Sequence, residues 1–208
     1  MSAVAEITVP DIATASCAFS TDRLFSWTVE RYEEMIRAGV LKEDDRVELI
    51  EGYIVTKMGK NSLHITIVKL LAEMLRAMLP EGWHVGKEDP IVLERSQPEP
   101  DITVIRGRIL DYLDRKPSAL DIGLVIEAAD SSLSDDRTLK KAIYAQAMIP
   151  TYWIVNLKDR RVEVHTDPTG LEETPTYRSQ KSYAAGESIP IVLEGREIGR
   201  IDAKELFP

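Results

Sequence analysis

The chain has 208 residues, 44% of them hydrophobic and 29% charged, which excludes wholesale disorder and fits one soluble globular domain. A formal net charge of −9 excludes a protein that grips nucleic acid by bulk charge alone. It leaves room for one that docks through a local basic groove and a bound cation. The single cysteine, Cys17, excludes an intrachain disulfide and, with no Cys or His at ligand spacing beside it, fits a reducing, cytoplasmic protein.

Residues 1–22 mix Ala, Ser, Thr and Pro without a period and read as an irregular arm, leaving 23–208 as one domain. The first basic residue is Arg23 and the uncharged stretch Ile12 to Thr21 is short, so neither a secretory signal nor a membrane span is expected. A helix begins after Thr28, a good N-cap, carries Val29, Tyr32, Met35 and Ile36 inward, and stops at Gly39. Arg46 to Lys57 reads as a β-hairpin around Glu51-Gly52. The longest helix follows, with Leu63, Ile67, Leu70, Leu71, Met74, Leu75 and Met78 on one stripe and Pro80 and Gly82 beyond its end. Trp83 to Leu93 is extended and broken at Pro90.

Three strands carry the rest of the core: Ile102 to Ile105, the apolar run Leu124 to Ala128, and Tyr152 to Val155. Between the last two a helix runs from about Asp136 to Ala147, with Leu139, Ile143 and Ala147 inward. That strand–helix–strand order favours a parallel crossover. Val162 to His165 and the Tyr177–Leu193 region add antiparallel strands. The expected fold class is α/β with a mixed sheet flanked by helices.

Two acidic residues stand out against this pattern. Asp101 follows Pro100 at the mouth of a strand, where proline holds the chain extended and a carboxylate can project. Glu127 interrupts a strand that should be apolar on both faces, and a buried carboxylate costs several kcal/mol unless it is paired or binds metal. A structural ion pair, with Arg137 for instance, is the lesser alternative for Glu127. Two carboxylates on neighbouring strands would offer hard oxygen donors suited to Mg2+ or Mn2+. Lys140, Ile143 and Tyr144 share helical spacing, so one helix face would bring Lys140 back over the strand ends. Tyr144 itself reads as a packing residue.

Residues 28–156 resemble the Uma-two family of restriction-endonuclease-like proteins, within the PD-(D/E)XK nuclease superfamily. The resemblance rests on Thr28-Val29-Glu30-Arg31-Tyr32 with Ala38-Gly39, on Arg46-Val47-Glu48-Leu49-Ile50-Glu51-Gly52-Tyr53-Ile54-Val55, and on His64. It continues through Glu99-Pro100-Asp101, Val125-Ile126-Glu127-Ala128, Asp136-Arg137-Thr138-Leu139-Lys140, Tyr144-Ala145 and Ile149-Pro150-Thr151-Tyr152-Trp153-Ile154-Val155. It implies a restriction-endonuclease-like core and hydrolysis of DNA phosphodiester bonds by a homodimer. Asp101 and Glu127, with the backbone carbonyl of Ala128, would hold Mg2+, and Glu48 would hold a second ion or a metal-bound water. The superfamily lysine normally stands two residues after the Glu, which here is Ala129; in this branch Lys140 matches it. His64 matches a family residue near the start of the long helix and would assist. Met148 stands where the family usually has Gly, Thr151 where Glu is common, and Asn156 where Asp is common. The rival expectations are a silent nucleic-acid-binding or protein-interaction module and a metal-dependent hydrolase of smaller phosphate esters. Lys57, Lys60, Lys69, Arg95, Arg106 and Arg108 flank the core segments as candidates for a basic groove.

Overall fold

A computed structural model describes residues 24–207; Cys17 and the arm expected over 1–22 lie outside them. In chain order the elements are α1 (Val29–Arg37), the hairpin β1 (Val47–Ile50) and β2 (Tyr53–Thr56), α2 (Ser62–Met78), β3 (Trp83–Gly86), β4 (Ile102–Arg106) and β5 (Ile122–Ala129). A helical stretch follows: α3 (Leu133–Asp135), a π-helical turn (Asp136–Lys140) and α4 (Lys141–Gln146). Then come β6 (Thr151–Asn156), β7 (Arg161–Pro168), β8 (Tyr177–Ala184), the hairpin β9 (Ser188–Leu193) and β10 (Arg196–Asp202), and α5 (Ala203–Leu206). β3 to β8 form one six-stranded sheet in sequential order. The β5–β6 pair is parallel and the other neighbours are antiparallel. The mixed sheet and its parallel crossover are as expected.

The sheet is covered on both faces, which is why β5 and β6 are buried along their whole length. One face carries Ile102, Val104, Leu124, Ile126, Trp153 and Val155 under α2, the β9–β10 hairpin and α5. The other carries Val125, Ala129, Tyr152 and Ile154 under Ile143 and Tyr144 of α4 and Ile50 of β1. Strand alternation assigns the faces: Glu127 has the parity of Val125 and Ala129 and so lies on the α4 side.

The helix ends follow their caps. Thr28 Oγ1 accepts from the Arg31 amide at 3.3 Å, and Asn61 Oδ1 accepts from the His64 amide at 2.9 Å. The inward stripes differ from expectation in three places. Ile36 is 40% exposed, leaving Val29 and Tyr32 to anchor α1. On α2 Leu63 is exposed and His64 takes the inward position. Leu139 is 40% exposed, because the π turn breaks the α-helical register on which its inward placement depended. Asp136, Lys140 and Tyr144 face inward instead. Tyr177–Leu193 is two strands in two sheets, and β9 pairs with β10, a strand absent from the sequence reading.

Two family departures have local explanations. Met148 sits at φ +60°, where its amide and that of Ile149 close the end of α4 onto Ala145 and Tyr144 carbonyls. Glycine is the natural residue for such a left-handed closure. Asn156 ends β6 with a turn, its Nδ2 donating to Asp159 Oδ2 at 2.9 Å and its Oδ1 accepting from the Asp159 amide at 2.9 Å.

Candidate active site

Five elements deliver side chains to one cleft of about 430 Å³. Leu49 of β1 packs against Val29 and Tyr32 of α1, so alternation turns Glu48 and Ile50 the other way, Ile50 into the core and Glu48 into the cleft. Asp101 enters just ahead of β4, and its Oδ2 accepts from the Ala128 amide at 2.8 Å. Glu127 of β5 turns toward the same point: its Oε2 accepts from the Asp101 amide at 3.3 Å. The two carboxylates are therefore tied across neighbouring strands, each receiving a backbone N–H of or beside the other. His64, in the first turn of α2, places Nε2 at 3.0 Å from Asp101 Oδ1.

Lys140 ends the π turn and reaches back over β5. Its Nζ lies 2.8 Å from both oxygens of Glu48 and 3.5 Å from Glu127 Oε1. The rival ion pair between Arg137 and Glu127 is absent: Arg137 binds Glu163, with Nε at 3.1 and 3.2 Å from its two oxygens. All five expected side chains, Glu48, His64, Asp101, Glu127 and Lys140, are thus brought together, and all but Lys140 are less than a tenth exposed. A solvent-facing Glu48 is excluded.

Three further residues join the site: Tyr144, expected only to pack, Lys60, expected only to flank the core, and Asp136, given no role by the sequence. Tyr144 is fully buried and its hydroxyl donates to Glu127 Oε1 at 2.8 Å. Asp136 is buried beside the cleft, accepting from the Ser132 hydroxyl at 2.7 Å while its own carbonyl accepts from Tyr152. Both stand four residues from Lys140, the spacing that marks one helix face. Lys60, from the connection between β2 and α2, donates to Asp101 Oδ1 at 2.8 Å and to Glu88 at 2.5 Å. Of the other flanking cations only Lys57 lines the cleft. Arg95, Arg106 and Arg108 pair elsewhere with Glu51, Glu194 and Asp111.

The electrostatics divide the acids. Burial, reinforced by repulsion from Asp101, Asp136 and Glu48, pushes the Glu127 carboxyl up to about 8 against the attraction of Lys140. Burial likewise pushes Asp136 up to about 6. Burial acts on Asp101 in the same direction, but the His64 hydrogen bond and the Lys60 ammonium outweigh it and hold that carboxyl below its ordinary value. For Lys140 burial favours the neutral amine, while Glu127 and Glu48 together overcome it and keep the ammonium.

The family profile described as "Uma2: Putative restriction endonuclease" matches residues 29–199. This chain belongs to the Uma2 family. Among solved structures, a putative nuclease of DUF820 from Anabaena variabilis ATCC 29413 is similar with a TM-score of 0.63 and 15% identity, over 82% of this chain and 94% of that one. That likeness shows that the Uma2 chain shares its fold. Apo NucC from E. coli MS115-1 aligns with a TM-score of 0.29 and 16% identity over 67% of this chain and 54% of its own, too loosely to support an argument. No curated protein matches.

The donor chemistry of the Uma2 cleft fits a hard divalent cation. Carboxyl groups outnumber lysines and arginines along its walls, and carboxylate oxygens are the donors such a cation takes. Among the described residues no three acidic or histidine side chains already form a finished cage. Asp101 Oδ1 is engaged by both Lys60 and His64.

Proposed function

We propose that the protein is a Mg2+-dependent endonuclease that hydrolyses DNA phosphodiester bonds, with Mn2+ as a substitute. The observation that carries the reading is the linked pair Asp101–Glu127, buried on adjacent strands, with the Lys140 ammonium held against it. Asp101 and Glu127 would hold the ion, together with the carbonyl of Ala128, whose amide already faces Asp101. Glu48 would take a second ion or a metal-bound water. A bound Mg2+ supplies a water of lowered pKa and neutralises charge on the reacting phosphate.

The remaining work falls to the protein. Lys140, kept protonated by Glu48 and Glu127, orients the attacking water and stabilises the charge that builds on the phosphoryl oxygens. Tyr144 fixes the orientation of Glu127 through its hydroxyl. His64 holds Asp101 from the opposite side. A cytoplasmic homodimer would let two such sites address two strands; Ile109, Leu110, Leu113 and Leu120, all more than 60% exposed on the β4–β5 connection, offer it an apolar contact. Among the described residues no helix is long and apolar enough to cross a membrane.

The test is incubation of purified protein with supercoiled and linear DNA, with and without Mg2+ or Mn2+, beside Asp101→Ala and Lys140→Ala. Metal-dependent nicking lost in both variants is expected. Nicking that survives Asp101→Ala would remove this site from the reaction. Well-folded protein that cuts neither DNA nor RNA would favour a silent binding module, and turnover of small phosphate esters alone would favour the third reading.

A further inference from the structure

Two lysines reach the carboxylates, and they are held differently. Lys140 comes from the inner side, its side chain 12% exposed, and has a dedicated partner in both Glu48 oxygens. Lys60 comes from the mouth, its side chain 26% exposed, over an Asp101 that is 7% exposed. It thus covers the solvent side of the acid expected to bind the ion. Its second partner, Glu88, is 39% exposed, so one end of its attachment lies in water, where ion pairs are worth little. It stands on the short connection 57–61, outside any helix or strand and directly before the N-cap Asn61.

Lys60 also occupies contested space. Its Nζ is 2.8 Å from Asp101 Oδ1, and the His64 ring nitrogen is 3.0 Å from that same oxygen. The other Asp101 oxygen is taken by the Ala128 amide. A divalent cation using Asp101 would meet the Lys60 ammonium within a few ångströms, where like charges in a half-buried cleft repel strongly. A lysine on a flexible four-carbon stem can yield where an arginine fork in fixed geometry would not. Swung outward, its ammonium stands at the mouth, where the anionic oxygens of a DNA backbone would lie.

We propose that Lys60 is the exchangeable counter-ion of this site: without metal it neutralises Asp101, and when a divalent cation arrives it moves to a phosphate oxygen of the substrate. This rests on the nuclease reading for the identity of the phosphate, but not for the exchange itself. Metal and nucleic acid then favour each other. The metal frees the lysine that the phosphate needs, and the phosphate holds the lysine away from the metal's acid.

The test uses the full chain as wild type, Lys60→Met and Lys60→Arg, with Mn2+ alone titrated by calorimetry and by its paramagnetic resonance signal. Lys60→Met should bind Mn2+ on the order of tenfold more tightly than wild type, and Lys60→Arg should not. With Ca2+ present so that no strand is cut, Lys60→Met should bind duplex DNA more weakly and show a salt slope smaller by about 1. Should Lys60→Met prove unstable, the comparison is the rise in melting temperature on adding Mn2+, which should be larger than in wild type. Equal or weaker Mn2+ affinity in Lys60→Met overturns the counter-ion role. An unchanged DNA affinity and salt slope overturns the phosphate role. Wild-type protein that cuts nothing, while Lys60→Met still binds Mn2+ more tightly, defeats the nuclease reading and leaves the exchange standing.

Discussion

Lys140→Met replaces the central ammonium with an uncharged side chain of similar length. Nζ is 2.8 Å from the Glu48 oxygens and 3.5 Å from Glu127 Oε1, and at an effective dielectric of ~20 each attraction is worth roughly 5 kcal/mol. Most of that offsets the cost of burying the three charges. The variant keeps the buried carboxylates without the attraction, and removing one member of a buried pair costs about 3–5 kcal/mol. Glu127, pushed up to about 8, already holds its proton most of the time near neutrality, so the attraction lost there is chiefly the one to Glu48, and we expect about 2–4 kcal/mol. The sign with pH follows from linkage. An acid whose folded pKa lies above its ordinary 4.5 binds more protons folded than unfolded between the two values, so stability falls as pH rises through that window. Losing Lys140 raises the folded value further, so the deficit of the variant is smallest near pH 5 and grows above pH ~8. Urea unfolding of both proteins across that range, with EDTA present, measures it. A deficit below ~1 kcal/mol, or one that does not change with pH, would refute a coupled charge cluster.

Tyr144→Phe leaves Glu127 Oε1 without its hydroxyl donor in a fully buried position and should cost about 1–3 kcal/mol in thermal unfolding while lowering Mn2+ affinity. His165 is buried with neither ring nitrogen hydrogen-bonded, its Nε2 lying 3.9 Å from Glu163 Oε2, and burial pulls its pKa down from 6.5 to about 4. Its contribution is full above about pH 6.5 and lost as pH falls toward 4, worth up to ~3 kcal/mol. His165→Phe should flatten that acid limb in urea titrations. Met148→Gly relieves a left-handed φ of +60° and should raise stability by about 0.5–1 kcal/mol, read as a higher melting temperature. Ala129→Lys combined with Lys140→Ala moves the lysine to its usual superfamily position. It should restore no cleavage and should destabilise the protein, because Ala129 is fully buried among apolar neighbours. Rescue of activity there would contradict the packing argument.

What could be read from residues alone was whatever local chemistry dictates. The cap at Thr28 marks the start of α1, and the apolar runs at 124–128 and 152–155 mark the two central strands because both sheet faces are covered. Glu127 was legible because an acid in such a run has to be accounted for. The stripe on the helical stretch was misread at Leu139, since nothing in a period of 3.6 announces a π turn. Lys60 escaped assignment because a lysine in a short connection has no periodicity, and only the tertiary fold places it on Asp101. Tyr144 reads as packing because its ring does pack against Tyr152; only the hydroxyl at its tip meets Glu127.

The displaced lysine follows from the same packing. Position 129 shares the face of Glu127, but the β5 end there is sealed: Ala129 is fully buried in the cluster that holds Ile143, Tyr144 and Ile149. An ammonium at that position would have no route to solvent and no room. The carboxylates require a cation at a point in space, and any segment that reaches that point can supply it. The stretch that crosses from β5 to β6 passes directly over the strand ends, and its π turn sets Lys140 and Asp136 inward while Leu139 stays 40% exposed at the rim of the cleft. Charge neutralisation thus determines where the lysine's head must be, and the crossover helix determines which residue of the sequence carries it.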